Sequence, residues 1–304
     1  MTQVALLYPG AMGRALAEAL APFDHTLISH LGERSARTRE NARSVGVHFM
    51  RSFQELVDTA ELVVSLVTPL AAAAVADDYA AALCKSRNWT LANRRPLFLD
   101  ANSIAPPKVA RIAKVIEAAG GRFVDGVFLG PSNPITRRTM LMLSGADAPI
   151  AAEIFEPALP VRVVGTSIGQ ASAVKMAIAL MNKALIALFL EMTCAAAKAG
   201  CLESNLSAMR DLYPGIMEFI ERNLPTYPTH AARRIEEMRE ALGWFAELGQ
   251  SASMTQAAIV VLERISNGGL KPSERNFKHL LQNIVALDPL AKDAREVSNS
   301  QRDA

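Results

Sequence analysis

The chain contains few of the residues on which specialised sites and scaffolds are often built. Its 304 residues include three cysteines, two tryptophans and four tyrosines, and its formal net charge is only +2. The odd number of cysteines, without metal-binding spacing, suggests reduced, buried thiols rather than a disulfide framework. The small net charge gives no reason to expect a nucleic-acid or membrane partner.

Several catalytic signatures are missing as well. The sequence has no Ser–His–Asp signature, no phosphate-loop lysine motif and no cluster of His, Cys and acidic residues at ligand spacing. We therefore predict no metal site. We treat the scattered histidines, His25, His30, His48 and His279, as structural.

The sequence also lacks the patterns of exported and membrane proteins. It enters an apolar strand pattern at once, without a basic n-region or a small-residue cleavage site, so we expect no export signal and a cytoplasmic location. Its most apolar segment, residues 171–200, contains four ionisable groups: Lys175, Lys183, Glu191 and Lys198. Their presence favours a buried helix over a membrane span.

Short apolar runs alternate with helical patterns through the first half of the chain. These runs cover residues 4–8, 25–31, 46–50, 61–69, 96–102 and 121–130. The alternation predicts an α/β Rossmann-type domain with a mainly parallel sheet, because continuous apolarity is typical of strands that are covered on both faces. The second half predicts an all-helical domain with one long helix over residues 170–200. We assign residues 1–166 to the first domain and 167–304 to the second.

The first loop, YPGAMG, raises the question of cofactor binding. Gly10 and Gly13 keep the second and third positions of a dinucleotide-binding G-x-G-x-x-G loop, whereas Tyr8 occupies the first. Because proline favours an extended preceding residue, Pro9 predicts that the strand continues through Tyr8. An anion at the helix N-terminus would then face the backbone amides of Gly10, Ala11 and Met12. A plain strand–helix turn is the alternative.

The end of the second strand predicts which dinucleotide is bound. Arg34 and Ser35 could hold the 2′-phosphate of NADP by charge-assisted hydrogen bonds, and Glu33 could instead read the free ribose of NAD. We favour NADP, with NAD as the alternative; a solvated basic helix turn is a third interpretation. Thr68 and Pro69 close the fourth strand, where this fold meets its cofactor; a simple strand stop is the alternative.

Four segments together resemble the β-hydroxyacid dehydrogenase family, which includes 3-hydroxyisobutyrate and 6-phosphogluconate dehydrogenases. YPGAMG is similar to the family's G-x-x-M-G, and LDANSIAPPKVARIA resembles its D-x-S-T-x-x-P substrate segment. VDGVFLGPSNP falls where the family has D-A-P-V-S-G-G. VGTSIGQASAVKMAIALMNK is similar to G-x-x-G-x-G-x-x-x-K-x-x-N-N. The likeness covers nearly the whole chain and indicates a divergent branch with a C-terminal domain of unknown function.

The departures from the family lie at substrate-facing positions. Asn102 stands where serine is usual, Leu129 and Pro131 replace a serine and a glycine, and residues 178–179 replace two asparagines. The family's usual substrates are therefore not carried over to this chain.

The resemblance implies hydride transfer between NADP and a small hydroxy or oxo acid, with Lys175 as the acid–base group. Four further residues are predicted to contact substrate: Asn102, Ser103, Gly130 and Lys183. The resemblance also implies a homodimer. Three alternatives remain open: a C=N reductase of the same architecture, a methyltransferase, and a non-catalytic nucleotide-sensing protein.

Overall fold

A computed structural model describes residues 2–32, 35–86, 88–89, 95–131, 134–268 and 276–287. The chain divides into two compact units, Met1–Met176 and Ala177–Ala304. This division lies inside the long helix, whereas the predicted boundary precedes that helix.

The described strands of the first unit form one eight-stranded sheet in the order β3-β2-β1-β4-β5-β6-β7-β8. The first six strands run parallel, and β7 pairs antiparallel with β6 and parallel with β8. Their bounds are β1 Thr2–Leu7, β2 His25–Ser29, β3 His48–Phe49, β4 Leu62–Ser65, β5 Leu97–Asp100, β6 Arg122–Leu129, β7 Met140–Ser144 and β8 Val161–Gly165.

Helices cover both faces of this sheet. They are α1 Ala11–Leu20, α2 Ala36–Arg43, α3 Phe53–Thr59, α4 Ala72–Lys85, α5 Pro106–Ala118 and α6 Ala148–Phe155. Alternate residues of β1 enter opposite cores: Val4 and Leu6 pack on one side of the sheet, and Ala5 and Leu7 on the other. Burial on both faces explains why the central strands read as continuous apolar runs.

The second unit is helical in its described parts. The long helix α7 spans Gln170–Lys198 and is followed by α8 Leu202–Leu212, α9 Pro214–Asn223, a short 3₁₀ turn, α10 Tyr227–Glu247, α11 Ser253–Asn267 and α12 Phe277–Leu287. The predicted fold class is confirmed. By length and composition α7 could also cross a membrane, but a core helix of a soluble protein meets the same test.

Two local predictions are wrong. The first strand ends at Leu7, and Tyr8 adopts a left-handed backbone with φ of 52° instead of extending the strand. Of the three cysteines only Cys194 is buried, because Cys84 and Cys201 lie at exposed positions. None of the three forms a disulfide bond.

The start of α7 is tied to the sheet by a buried carboxylate. Asp125, in the middle of β6, is 0% exposed and accepts hydrogen bonds from the Ser172 amide at 3.0 Å and the Ser172 hydroxyl at 2.7 Å. The Ser144 hydroxyl donates to Asp125 and accepts from the Ala171 amide, each at 3.0 Å. These bonds satisfy amides that the first turn of a helix otherwise leaves unpaired. They also fix where the next turn of α7 places its side chains.

We predict that Gly130 tolerates no side chain. Its φ is 96°, and a Cβ atom would come within 2.5 Å of the Arg138 carbonyl oxygen, a backbone atom that cannot swing aside. Gly130→Ala should therefore lower the free energy of unfolding by about 3 kcal/mol, from backbone strain plus overpacking. The matched control is Gly120→Ala, which has φ of 90° but no atom within 4 Å and should lose only about 1–2 kcal/mol. Equal losses in urea denaturation would contradict the clash.

Candidate cofactor and active site

The candidate site lies at the carboxyl edge of the sheet. The chain proceeds from β1 to β2 and β3 on one side and returns to β4 on the other, so the strand order reverses at this point. In open α/β sheets, ligands bind outside the carboxyl ends of the strands at such a switch. Residues 8–10, 66–69 and 101–103 follow β1, β4 and β5, and Gly130 follows β6. The topology thus brings most of the predicted site segments to one edge.

The loop after β1 has room for a phosphate. Gly10 caps α1 without a side-chain hydrogen bond, and a Cβ atom on Gly10 would meet nothing within 4 Å. A Cβ on Gly13 would lie 3.0 Å from that of Pro9, so the helix packs closely on the loop. Open space above one glycine and close packing at the next suit a pyrophosphate at the N-terminus of α1. The residues present therefore fit a dinucleotide, whose phosphates the amides of Ala11 and Met12 would face.

Tyr8 departs from the pattern in backbone as well as in sequence. A left-handed conformation costs a non-glycine residue about 1–2 kcal/mol, and Tyr8 adopts it where the motif has glycine. Its side chain lines a cavity of about 670 Å³ together with His30, Leu31 and Gly32, which follow β2. No sequence motif indicated that Tyr8 or His30 would line this cavity.

The residues predicted to read the ribose are only partly described. Ser35 is the N-cap of α2, and its hydroxyl oxygen accepts from the Thr38 amide at 3.3 Å. Ser35 is exposed and also lies 3.0 Å from the Thr38 hydroxyl. Arg34 and the competing Glu33 lie outside the described residues. Thr68 and Pro69 are exposed just beyond β4, and the Thr68 carbonyl accepts from the Ala71 amide at 2.9 Å.

Two predicted residues that are far apart in the sequence meet in the first unit. The Lys175 ammonium donates a hydrogen bond to the Ser103 hydroxyl at 2.6 Å. Ser103 is exposed just after β5, and Lys175 is half-buried in the second turn of α7. A cation and a hydroxyl in contact at the cofactor edge form a group that can move a proton and hold an oxygen atom.

Asn102 forms hydrogen bonds beneath the surface of this edge of the sheet. Its side chain is 2% exposed, its Oδ1 accepts from the Val67 amide at 2.7 Å, and its Nδ2 donates to the Ser65 hydroxyl at 3.0 Å. The amide thus joins the loop after β5 to the end of β4, directly before Ser103. Substrate contact by Asn102 stays a prediction, and the side chain is buried.

Asp100 supports the same loop and carries a perturbed carboxyl group. Its Oδ1 accepts from the Asn102 amide at 2.9 Å, and its Oδ2 has no hydrogen-bond partner among the described residues. Burial raises the pKa of Asp100 to about 6, although the hydrogen bonds from Asn102 oppose the shift. Burial also raises the pKa of Asp125, against the hydrogen bonds from Ser172, Ser144 and Gly169. No sequence motif predicted the raised pKa of either carboxyl group, because burial cannot be read from a sequence.

Gly130 and Lys183 complete the predicted set. Gly130 is exposed beyond β6 with a left-handed φ. Lys183 lies in the second unit, where its buried ammonium pairs with Glu237 at 3.1 Å. Desolvation lowers the pKa of Lys183, while the Glu237 carboxylate raises it. The pair of Lys183 and Glu237 joins α7 to α10. Within α10, Arg233 pairs with the same carboxylate.

Comparison with known families agrees with this geometry. Residues 3–161 match the NAD binding domain of 6-phosphogluconate dehydrogenase, which is half of the chain. Residues 196–265 match a domain of unknown function, DUF1932. The resemblance drawn from the four sequence segments is confirmed, as is the assignment to a branch with an uncharacterised C-terminal domain.

Solved structures share the fold over most of the chain. The conserved protein MTH1747, of unknown function and structurally similar to 3-hydroxyacid dehydrogenases, is 27% identical with a TM-score of 0.74, covering 87% of this chain and 97% of its own. Mycobacterium tuberculosis 3-hydroxyisobutyrate dehydrogenase is 19% identical with a TM-score of 0.73, covering 93% and 99%. An imine reductase from Bacillus cereus is 17% identical with a TM-score of 0.56, covering 93% and 98%.

We predict a pH-dependent contribution of Asp100 to stability. Its pKa is raised in the folded state, so the stability it contributes is fully present below about pH 4 and is lost as pH rises to about 6. A shift of about two units corresponds to about 3 kcal/mol. Asp100→Asn keeps an acceptor for the Asn102 amide but cannot ionise.

The difference in unfolding free energy between Asp100→Asn and the wild type should therefore grow by about 3 kcal/mol from pH 4 to pH 7. Urea denaturation at several pH values measures it. Asp77→Asn, at an exposed position of α4, is the matched control for the loss of a surface carboxylate. A constant difference for Asp100→Asn would contradict the buried, raised carboxyl.

Proposed function

The chain belongs to the family of the NAD-binding domain of 6-phosphogluconate dehydrogenase, and on this premise we propose that it is an NADP-dependent oxidoreductase. The reaction proposed is hydride transfer between NADP and a small hydroxy or oxo acid or a related compound. NAD is the alternative cofactor, and a cytoplasmic location fits such a reaction.

The observation that carries the proposal is the 2.6 Å hydrogen bond from Lys175 to Ser103. It joins the cation predicted to act as acid–base with the hydroxyl predicted to hold substrate, 72 residues apart in the chain. Both belong to the unit that contains the dinucleotide-binding edge. A lysine that only extended into solvent would have no reason to contact this serine.

The proposed division of labour follows from the chemistry of these two groups. The nicotinamide supplies or accepts the hydride when it is bound. In reduction, the Lys175 ammonium donates a proton to the substrate oxygen; in oxidation, its neutral amine accepts the hydroxyl proton. The Ser103 hydroxyl accepts from Lys175 and keeps its own proton to donate to a substrate carboxylate or carbonyl. Asn102 holds Ser103 in place through its bonds to Val67 and Ser65.

A first experiment tests the cofactor and the reaction together. The purified protein is titrated with NADPH and NADH by fluorescence and then assayed with small hydroxy acids, oxo acids and cyclic imines. Tight NADPH binding with turnover of oxo acids supports the proposal. Turnover of imines alone would favour a C=N reductase. Binding without any turnover would favour a nucleotide-sensing protein, and binding of neither dinucleotide would contradict the whole proposal.

Lys175 should be required for turnover but not for cofactor binding. Lys175→Ala is expected to lower kcat by about 10²–10⁴-fold, the usual contribution of a positioned acid–base group. The NADPH dissociation constant should stay within about twofold, because Lys175 acts on substrate and the loop after β1 holds the dinucleotide. Lys114→Ala, at an exposed position of α5, is the matched control. Full activity of Lys175→Ala would remove lysine from the mechanism.

We also propose that two copies pair through α7. Large apolar side chains along one face of this helix remain exposed to solvent: Ile178 41%, Met181 65%, Leu188 51% and Met192 43%. With Leu185, Ala195 and Ala199 they follow a spacing of three and four residues, the pattern by which like helices pack. The face continues into an apolar groove of about 520 Å³ formed with Met209, Tyr213 and Ile216. A two-fold axis would let this surface cover its own copy.

Charge introduced into this face should therefore dissociate the protein. The wild type is expected to have about twice the chain mass of 32.7 kDa in light scattering after size exclusion. Met181→Lys combined with Leu188→Lys should give a monomer, since burying two unpaired ammonium groups is unfavourable. Met254→Lys on α11, where the methionine is 71% exposed, is the matched control and should stay dimeric. A monomeric wild type would contradict the pairing.

A further inference from the structure

Tyr8 has an unusual backbone for a residue with a side chain. It is the non-glycine residue with positive φ among those that the structure describes, and its φ is 52°. Hard-sphere contacts between Cβ and the backbone make this region rare for such residues. Backbone outliers persist where the surrounding structure holds them, and they concentrate at ligand sites. The Tyr8 side chain is therefore a candidate for contact with a ligand.

The strained conformation is imposed from both sides of Tyr8. Leu7, the last residue of β1, is 1% exposed and pairs with Ser65 of β4. On the other side, Pro9 is buried and packs so closely on α1 that a Cβ on Gly13 would lie 3.0 Å from it. The chain must turn from strand to helix between two fixed neighbours. A left-handed Tyr8 makes this turn and gives its side chain one direction.

That direction leads to a cavity of about 670 Å³ lined by residues that follow β1 and β2 and by residues of α3 and α4. Tyr8 lines this space with His30, Leu31 and Gly32, and α3 contributes Phe53. His30 is held in place, because its Nδ1 lies 3.2 Å from the Met50 carbonyl oxygen and its ring 6.4 Å from that of Phe53. A dinucleotide whose pyrophosphate lies on the loop after β1 directs its adenosine half to the end of β2.

We propose that Tyr8 is a cofactor-binding residue whose ring forms a wall of the adenosine pocket. The inference rests on the proposed cofactor and goes beyond it, since it assigns the residue that replaces the loop's first glycine. Glycine at this position relieves the backbone but leaves the cavity open. An aromatic ring held rigidly at the cavity edge offers a flat face to a nucleobase or ribose at little cost in rotamer entropy.

Variants at Tyr8 distinguish the effect of the aromatic ring on cofactor binding from the effect of the strained backbone. Tyr8→Phe and Tyr8→Leu share the backbone strain and differ in the aromatic face. Tyr8→Leu should weaken NADPH binding about tenfold, as stacking contacts usually do, while Tyr8→Phe stays close to the wild type. Phe49→Leu, at an exposed aromatic position of β3 outside the cavity lining, is the matched control and should leave binding unchanged.

Fragments of the cofactor locate the contact. The adenosine half, 2′,5′-ADP, should lose affinity in Tyr8→Leu by the same factor as NADPH, whereas reduced nicotinamide mononucleotide should bind both proteins equally. The difference in melting temperature between Tyr8→Gly and Tyr8→Ala measures the backbone strain at this position. The glycine variant should melt about 2–4 °C higher, the reverse of the usual order for these residues.

The outcomes distinguish this inference from the proposed function. Wild-type protein that binds neither NADPH nor NADH overturns both. Wild-type binding that Tyr8→Leu leaves intact overturns only the role of the ring and reduces Tyr8 to a packing residue of the sheet. Equal loss for both fragments overturns it too, since the loop and not the adenosine pocket would then be damaged. Should Tyr8→Leu fail to fold, Tyr8→Gly replaces it in the fragment comparison.

Discussion

The candidate active site depends on the buried carboxylate of Asp125. This group lies in the middle of a central strand and binds the amide and hydroxyl of Ser172, and through Ser144 it also holds the amide of Ala171. The first turn of a 29-residue helix is thereby fixed against the sheet. Lys175 follows one turn later, so its contact with Ser103 is a consequence of the same anchorage. Desolvation of Asp125 is the price of this anchorage, and four hydrogen bonds offset it.

The loops at the sheet edge are held by hydrogen bonds on one side of the switch point and by close packing on the other. Asn102 joins the ends of β4 and β5, and Asp100 supports the turn that presents Ser103. On the other side of the switch point, Pro9 and Gly13 hold the first loop against α1. Both loops lie at the carboxyl edge of the sheet, beside the switch point where the proposed dinucleotide would bind. Hydride and proton transfer depend on short, oriented contacts, which loops held in this way would favour.

Much of the fold could be predicted because its pattern is local. Apolar runs of strand length separated by helical patterns indicated the parallel sheet, and the proline-free stretch after Gly169 indicated α7. The candidate site was named from the sequence for the same reason: Gly10, Gly13, Ser103 and Lys175 stand in motifs with regular spacing. The backbone of Tyr8 was not predictable, since Pro9 alone favours an extended neighbour and only the packing of α1 forces the left-handed turn.

The sequence by itself determined the order of strands and helices, the candidate phosphate loop and the candidate acid–base lysine, because each is specified by residues that are neighbours in the chain. Only the tertiary structure decided which of these residues meet. Lys175 and Ser103 are separated by 72 positions, and Asn102 reaches Val67 across 35. Burial, which raises the pKa of Asp100 and Asp125, likewise arises only when distant segments exclude water together. Long-range packing thus converted a set of motif residues into one candidate site.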